Sequence, residues 1–218
     1  MLFLCGDMFI INKDDFDFSS LSMGIKDCSL PYCSNTYIIR KTLEYITYCN
    51  INKIKPFILL CWCDSNREEF YNNDLGYMTV STTHPLIIYH KNYLKNKQYY
   101  MDGFEKYFKL NFIKKRLYDA LNIQAKEFVI KYRSNNIYNE CIKMSYIVSL
   151  FNILENYEFD FLFVYDLVDC DYIYKYIRRH NTFLSLQYII KEYETLILDK
   201  KRFMTYDCFF ECFKNKQQ

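Results

Sequence analysis

Glycine and proline are scarce, with 4 and 3 residues in a chain of 218. The four glycines, Gly6, Gly24, Gly76 and Gly103, never cluster. A phosphate-cradling loop needs several close together, so nucleotide binding of the P-loop kind is not expected. The chain also lacks a GxSxG nucleophile elbow and an HExxH zinc helix. A nucleophile, a base and an orienting acid can assemble from distant residues, but the sequence singles out no such set. With only three His, it also lacks the short-spaced ligand pairs of a structural zinc site. No catalytic residue, cofactor or metal ligand is assigned, and the chain is read as non-enzymatic.

A charge excess of one sign is missing too. The 28 Lys and Arg face 26 Asp and Glu. Neither nucleic acid nor an anionic membrane is therefore expected as a partner. The basic triplet Lys114 to Arg116 is too short to change this and is read as a solvated face. No run approaches the roughly 18 apolar residues that a membrane span requires. The apolar opening Met1 to Cys5 meets Asp7 too soon for a secretory leader. The ten Cys follow no regular spacing. They are read as reduced, buried thiols of a cytoplasmic protein, including Cys61 and Cys63 beside Trp62.

Half of the residues are hydrophobic, enough for a packed core in one sizeable domain with an appendage, or in two small ones. The 23 Tyr and 19 Phe, with abundant Ile, Asn and Lys, fit an AT-rich coding sequence. Such a bias points to a large AT-rich DNA virus or a parasite, and it removes functional weight from aromatic abundance.

Leu2 to Leu4 and Met8 to Ile11 suggest short strands. Ser34 or Asn35 is placed to cap a helix whose apolar face is Ile38, Ile39, Leu43 and Ile46, ending near Asn50. Phe57 to Trp62 reads as a strand, and the polar residues 63–74 as a loop. Tyr77 to Thr82 and Leu86 to Tyr89 form a hairpin-like pair, with Pro85 in its turn. From His90 onward the periodicity reads as helix after helix. The first apolar set is Tyr118, Leu121, Ala125, Phe128 and Tyr132. The second is Tyr146, Ile147, Leu150, Phe151 and Leu154. The third is Phe183, Leu186, Ile190, Tyr193 and Ile197. Strands first and a helical cluster after predict an α+β architecture.

Residues 77–104, YMTVSTTHPLIIYHKNYLKNKQYYMDGF, resemble the first half of a BTB/POZ domain. The features shared are two strands, the pair His90 and Lys91 opening a helix, Leu94, the aromatic pair Tyr99 and Tyr100, and Phe104. The resemblance continues through 121–132, 145–154 and Cys170 to Lys175. Residues 181–197 and 202–213 resemble the start of a BACK region. The kelch-like BTB proteins of poxviruses share the Ile/Asn/Tyr-rich composition. Bulky Leu150 and Phe151 depart from the family pattern, as does Tyr77 at the first strand, and no kelch repeats follow.

The resemblance implies an N-terminal extension over 1–69, a BTB/POZ-like domain of short strands and a helical cluster over 70–180, and BACK-like helices over 181–218. It implies a homodimer, with Ile38, Leu43 and Ile46 as candidate dimer residues. It also implies contact with a host cullin or another BTB protein. Tyr107, Phe108, Leu110 and Phe112 are the matching residues. The chain would act as an adaptor or decoy for a cullin-type ubiquitin ligase, in the host cytoplasm if the chain is viral. The family's Glu beyond these anchors is absent, and Lys114 to Arg116 reverse the local charge, which weakens or alters that contact. The alternative is a Bcl-2-like helical inhibitor of apoptosis or innate signalling, with 116–134 and 146–160 as helices and a groove for a partner helix.

Overall fold

The computed structural model describes residues 1–6, 24–30, 33–63, 67–72, 76–81, 87–89, 123, 127, 136–165, 173, 184–199 and 201–214. In chain order the elements are β1 (Leu2–Gly6), β2 (Ile25–Asp27), α1 (Asn35–Asn52), β3 (Phe57–Cys61), β4 (Arg67–Asn72), β5 (Gly76–Ser81) and β6 (Ile87–Tyr89). They continue with α2 (Asn136–Asn156), β7 (Asp160–Tyr165), α3 (Leu184–Leu196), β8 (Phe203–Thr205) and α4 (Tyr206–Lys214).

Among the described residues these strands form two sheets, so the fold is a mixture of α and β. Five strands form one sheet in the order β2-β1-β3-β7-β8, and every pair in it is parallel. The sequences LFLCG, FILLC and DFLFVY are almost continuously apolar. That is the signature of strands buried on both faces, as parallel strands are. Alternate residues supply the two faces. Phe3, Cys5, Ile58, Leu60, Phe161, Phe163 and Phe203 meet α1, α2 and α3 in the larger core. Leu2, Leu4, Leu59, Cys61 and Val164 meet Phe209 of α4 on the opposite face.

The placement of the helices follows from crossover handedness. A strand–helix–strand crossover between parallel strands is right-handed, so the direction of travel along the sheet decides which face its helix covers. From β2 through β3 and β7 to β8 the chain advances one way, and α1, α2 and α3 share a face. The step from β1 to β2 runs the other way. The sheet therefore reverses direction beside β1, between β1 and β3.

The second sheet is the antiparallel meander β4-β5-β6. Its β5–β6 pair is the hairpin expected near 77–89. The helical Bcl-2-like alternative has no place for this pair or for the parallel sheet; of its proposed helix over 146–160, residues 146–156 are helical in α2 and Asp160 begins β7. Residues 67–72, expected to be loop, are strand β4. β7 and β8 interrupt the expected run of helices. β1, β2 and β3 pair into the same sheet as β7 and β8. Within the first 69 residues, β1, β2 and β3 are thus strands of the central sheet. The expected strand at 8–11 and helix at 118–132 lie outside the described residues, apart from helical Ile123 and Glu127.

Candidate functional site

In an open parallel sheet the crevice outside the carboxyl ends of the strands, at the reversal point, is where ligands usually gather. Here that point lies between Gly6 of β1 and Cys61 of β3, which sit side by side in register. Gly6 has φ 147°, and a Cβ there would fall 2.5 Å from both the Cβ and the carbonyl oxygen of Cys61. Only glycine permits so close an approach.

The start of α1 closes the crevice. Ser34 is the N-cap, and its Oγ accepts the Tyr37 backbone N–H at 3.1 Å. Asn35 is buried and clamps the end of β3 from both sides. Its Nδ2 donates to the Cys63 carbonyl at 3.1 Å, and its Oδ1 accepts the Cys63 N–H at 2.8 Å. This brings the Sγ atoms of Cys33 and Cys63 within 3.2 Å of each other. Tyr37 donates its hydroxyl to the Cys28 carbonyl at 2.9 Å, and Cys5 lies in the same cluster, 3.7 Å from that carbonyl. Burial pushes the Cys5 thiol well above its ordinary pKa, helped by neighbouring Cys28 and Cys63. Cys5 is thus held as a neutral thiol. Tyr206 at the start of α4 donates its hydroxyl to the Trp62 carbonyl.

Beside the clamp lies a polar patch. Thr36 donates to Glu68 at 2.9 Å, and the buried Lys143 faces Glu140 at 3.6 Å. The cavity among Asn35, Thr36, Arg67, Glu68, Asn139 and Lys143 holds about 10 Å³. That is the space of a single water. Among the described residues no group of three or more His, Cys, Asp or Glu is placed to hold a metal.

The outer side of α1 presents a different chemistry. Ile39, Leu43 and Thr47 line an open groove bounded by Arg40, Glu44 and Glu69. Arg40 fixes the rim. Its Nε and Nη2 donate to the two oxygens of Glu69 at 3.0 and 2.6 Å, its Nη1 donates to Glu44 at 2.9 Å, and its guanidinium stacks 3.7 Å over Tyr77. Burial works against the Arg40 charge, but hydrogen bonds to Glu69 and Glu44 outweigh it and raise its pKa. Burial alone would raise the Glu44 pKa, yet Lys41 and Arg40 hold its carboxyl below the usual value.

Of the residues expected to form a dimer contact, Leu43 is 37 % exposed and lies in this groove. Ile38 and Ile46 are buried against the parallel sheet and serve the core, a correction to their assignment as surface contacts. Both turn inward because they share the stripe of Tyr45 and Cys49, whereas Leu43 falls on the far side of the helix. Tyr107, Phe108, Leu110 and Phe112 lie outside the described residues. Sequence reading missed Arg40 and Glu69, and took Asn35 only as a possible helix cap. Each acts through a partner 28 or 29 residues away, and no local pattern announces that. No described helix is long and apolar enough to cross a membrane. Comparison with family models, with curated proteins and with solved structures finds no match for this chain.

Proposed function

We propose that the chain is a non-enzymatic protein–protein interaction module that docks through the outer side of α1. The observation that carries this is the groove of Ile39, Leu43 and Thr47, rimmed by an ordered Arg40–Glu69–Glu44 network. Apolar side chains at the centre of a patch with charges at its edge are the usual anatomy of an interface. The rim carries both signs on one patch, which suits an isologous contact between two copies of the chain. Tyr48 and Ile51 extend the exposed apolar surface along the helix.

The finer form of this function is a BTB-like module with a BACK-like extension, dimeric and in contact with a cullin or another BTB protein in the cytoplasm. It draws support from the residue order in 77–104 and from the β5–β6 strand pair. The five-stranded parallel sheet is not something that resemblance implies, and docking on α1 does not depend on the resemblance.

Light scattering on a sizing column tests both forms. The chain should run as a dimer, and Leu43→Glu should convert it to a monomer with an unchanged circular dichroism spectrum. A wild-type monomer, or a dimer that survives Leu43→Glu, refutes docking between copies on α1. Co-elution with a BTB-binding cullin N-terminal domain is the expected result for the finer form, and separate elution removes that form.

A further inference from the structure

We infer that Cys33 and Cys63 are a redox modification site: a thiol pair that closes reversibly to a disulfide and latches the start of α1 to the end of β3. The two Sγ atoms stand 3.2 Å apart. A disulfide bond is about 2.05 Å long, so closure needs about 1.2 Å of approach. The Asn35 clamp holds Cys63 beside the corner that carries Cys33, so the pair is positioned before any bond forms. Both thiols are buried, at 0 % and 2 % exposure. Reaction therefore requires local opening of this corner, and the opening sets its rate.

The oxidant is a low-molecular-weight disulfide such as glutathione disulfide. One protein thiol loses its proton and attacks a sulfur of the oxidant, releasing the first small thiolate, which takes up a proton. The second protein thiol loses its proton and attacks the mixed disulfide, releasing the other small thiolate, which is protonated in turn. One S–S bond breaks and one forms. Two protons pass from protein thiols to small thiols, and two electrons pass from the protein to the oxidant. The exposed Cys208 and Cys212 on α4 offer the same oxidant easier access and serve as the internal comparison.

Closing this bond bridges 30 positions, a span that contains all of α1. A disulfide acts mainly by constraining the unfolded chain. The expected gain corresponds to a rise in Tm of roughly 7–14 °C for a chain of this size. The latch is independent of whether α1 binds a partner.

The test is to incubate the native full chain with glutathione disulfide, block remaining thiols with iodoacetamide, digest without reduction and map the peptides by mass. The expected result is a Cys33–Cys63 linked peptide that dithiothreitol abolishes, together with the rise in Tm. Cys208→Ser should leave both unchanged. Cys33→Ser should abolish the link and the rise. A link that forms only in urea, a pairing of Cys5 with Cys28 or Cys63 instead, a glutathione adduct that never resolves, or an unchanged Tm would each overturn the inference. The wild-type map decides the matter even if Cys33→Ser fails to fold.

Discussion

Replacing Arg40 with alanine should loosen the joint between α1 and the antiparallel meander. Arg40 is 19 % exposed and its partner Glu69 only 6 %. The pair is bidentate, at 2.6 and 3.0 Å, and each bond, made between ionised groups, is roughly twice as strong as a neutral one. Removing the guanidinium leaves the Glu69 carboxylate buried without that counter-ion, which costs about 3–5 kcal/mol in comparable pairs. The stack on Tyr77 contributes about 1 kcal/mol, within the same deletion. The expected total is about 4 kcal/mol. Arg40→Lys keeps the charge but loses the fork and the stack, so about 2 kcal/mol is expected for it. The double replacement Arg40→Met with Glu69→Leu removes the buried carboxylate together with its counter-ion and should recover most of the loss. Urea unfolding measures all three as a shift of the midpoint at constant slope. Hydrogen exchange should show the Arg40→Ala loss concentrated in β4 and β5. A cost below about 1 kcal/mol for Arg40→Ala, the level of an ordinary surface pair, would refute the claim that this residue rivets α1 to the meander.

Two further outcomes follow from the same geometry. Gly6→Ala forces a side chain into a φ of 147° and against Cys61, so it should destabilise by about 3 kcal/mol or more. Thermal unfolding checks this, and a shift under a degree would show that β1 relaxes freely. Burial, helped by Glu140, pushes the Cys141 thiol from 9.0 up to about 11. The folded state then holds its proton where the unfolded state has lost it, so this contribution is complete below pH 9 and disappears as the pH rises towards 11. The urea midpoint should fall over that window, and Cys141→Ala should flatten the fall. A midpoint that is level from pH 9 to 11, or unchanged by Cys141→Ala, would contradict it.

Much of the fold was legible where side-chain pattern and local chemistry agree. Ser34 at the head of α1 reads as a cap because its hydroxyl has a backbone N–H to accept three residues on. Phe57 to Trp62 reads as a strand because a short apolar run between a proline and a polar stretch fits little else. β4 was missed because REEFYN has the composition of a loop. Its carboxylates are tolerated in a strand because Arg40 and Thr36 reach them from α1. β7 was missed for the opposite reason. FLFV is apolar on both faces, and periodicity cannot separate a buried strand from buried helix when it follows a helix this closely. With β7 and the three-residue β8 unrecognised, the parallel sheet could not be assembled, and the order of elements looked like strands followed by helices. The end of α1 was also less legible than its start. The αL position that closes the helix belongs to Lys53 (φ 54°), where a glycine would have marked it.

The proposed docking face and the proposed latch converge on α1, and the physical reason is its position in the molecule. One side of α1 buries Tyr37, Ile38, Tyr45 and Ile46 on the parallel sheet. Its flank carries Arg40 and Thr36, which tie it to the meander through Glu69 and Glu68. Its first turn is clamped to β3 through Asn35. A helix held on three sides presents its fourth side with little conformational freedom left to lose. Binding there then forfeits less ordering entropy than binding on a loop would, so a modest apolar patch around Leu43 can support a specific contact. Arg40→Lys separates the two ideas. If rigidity matters, it should weaken self-association although Leu43 itself is untouched. If the patch acts by its area alone, association should be unchanged while stability falls.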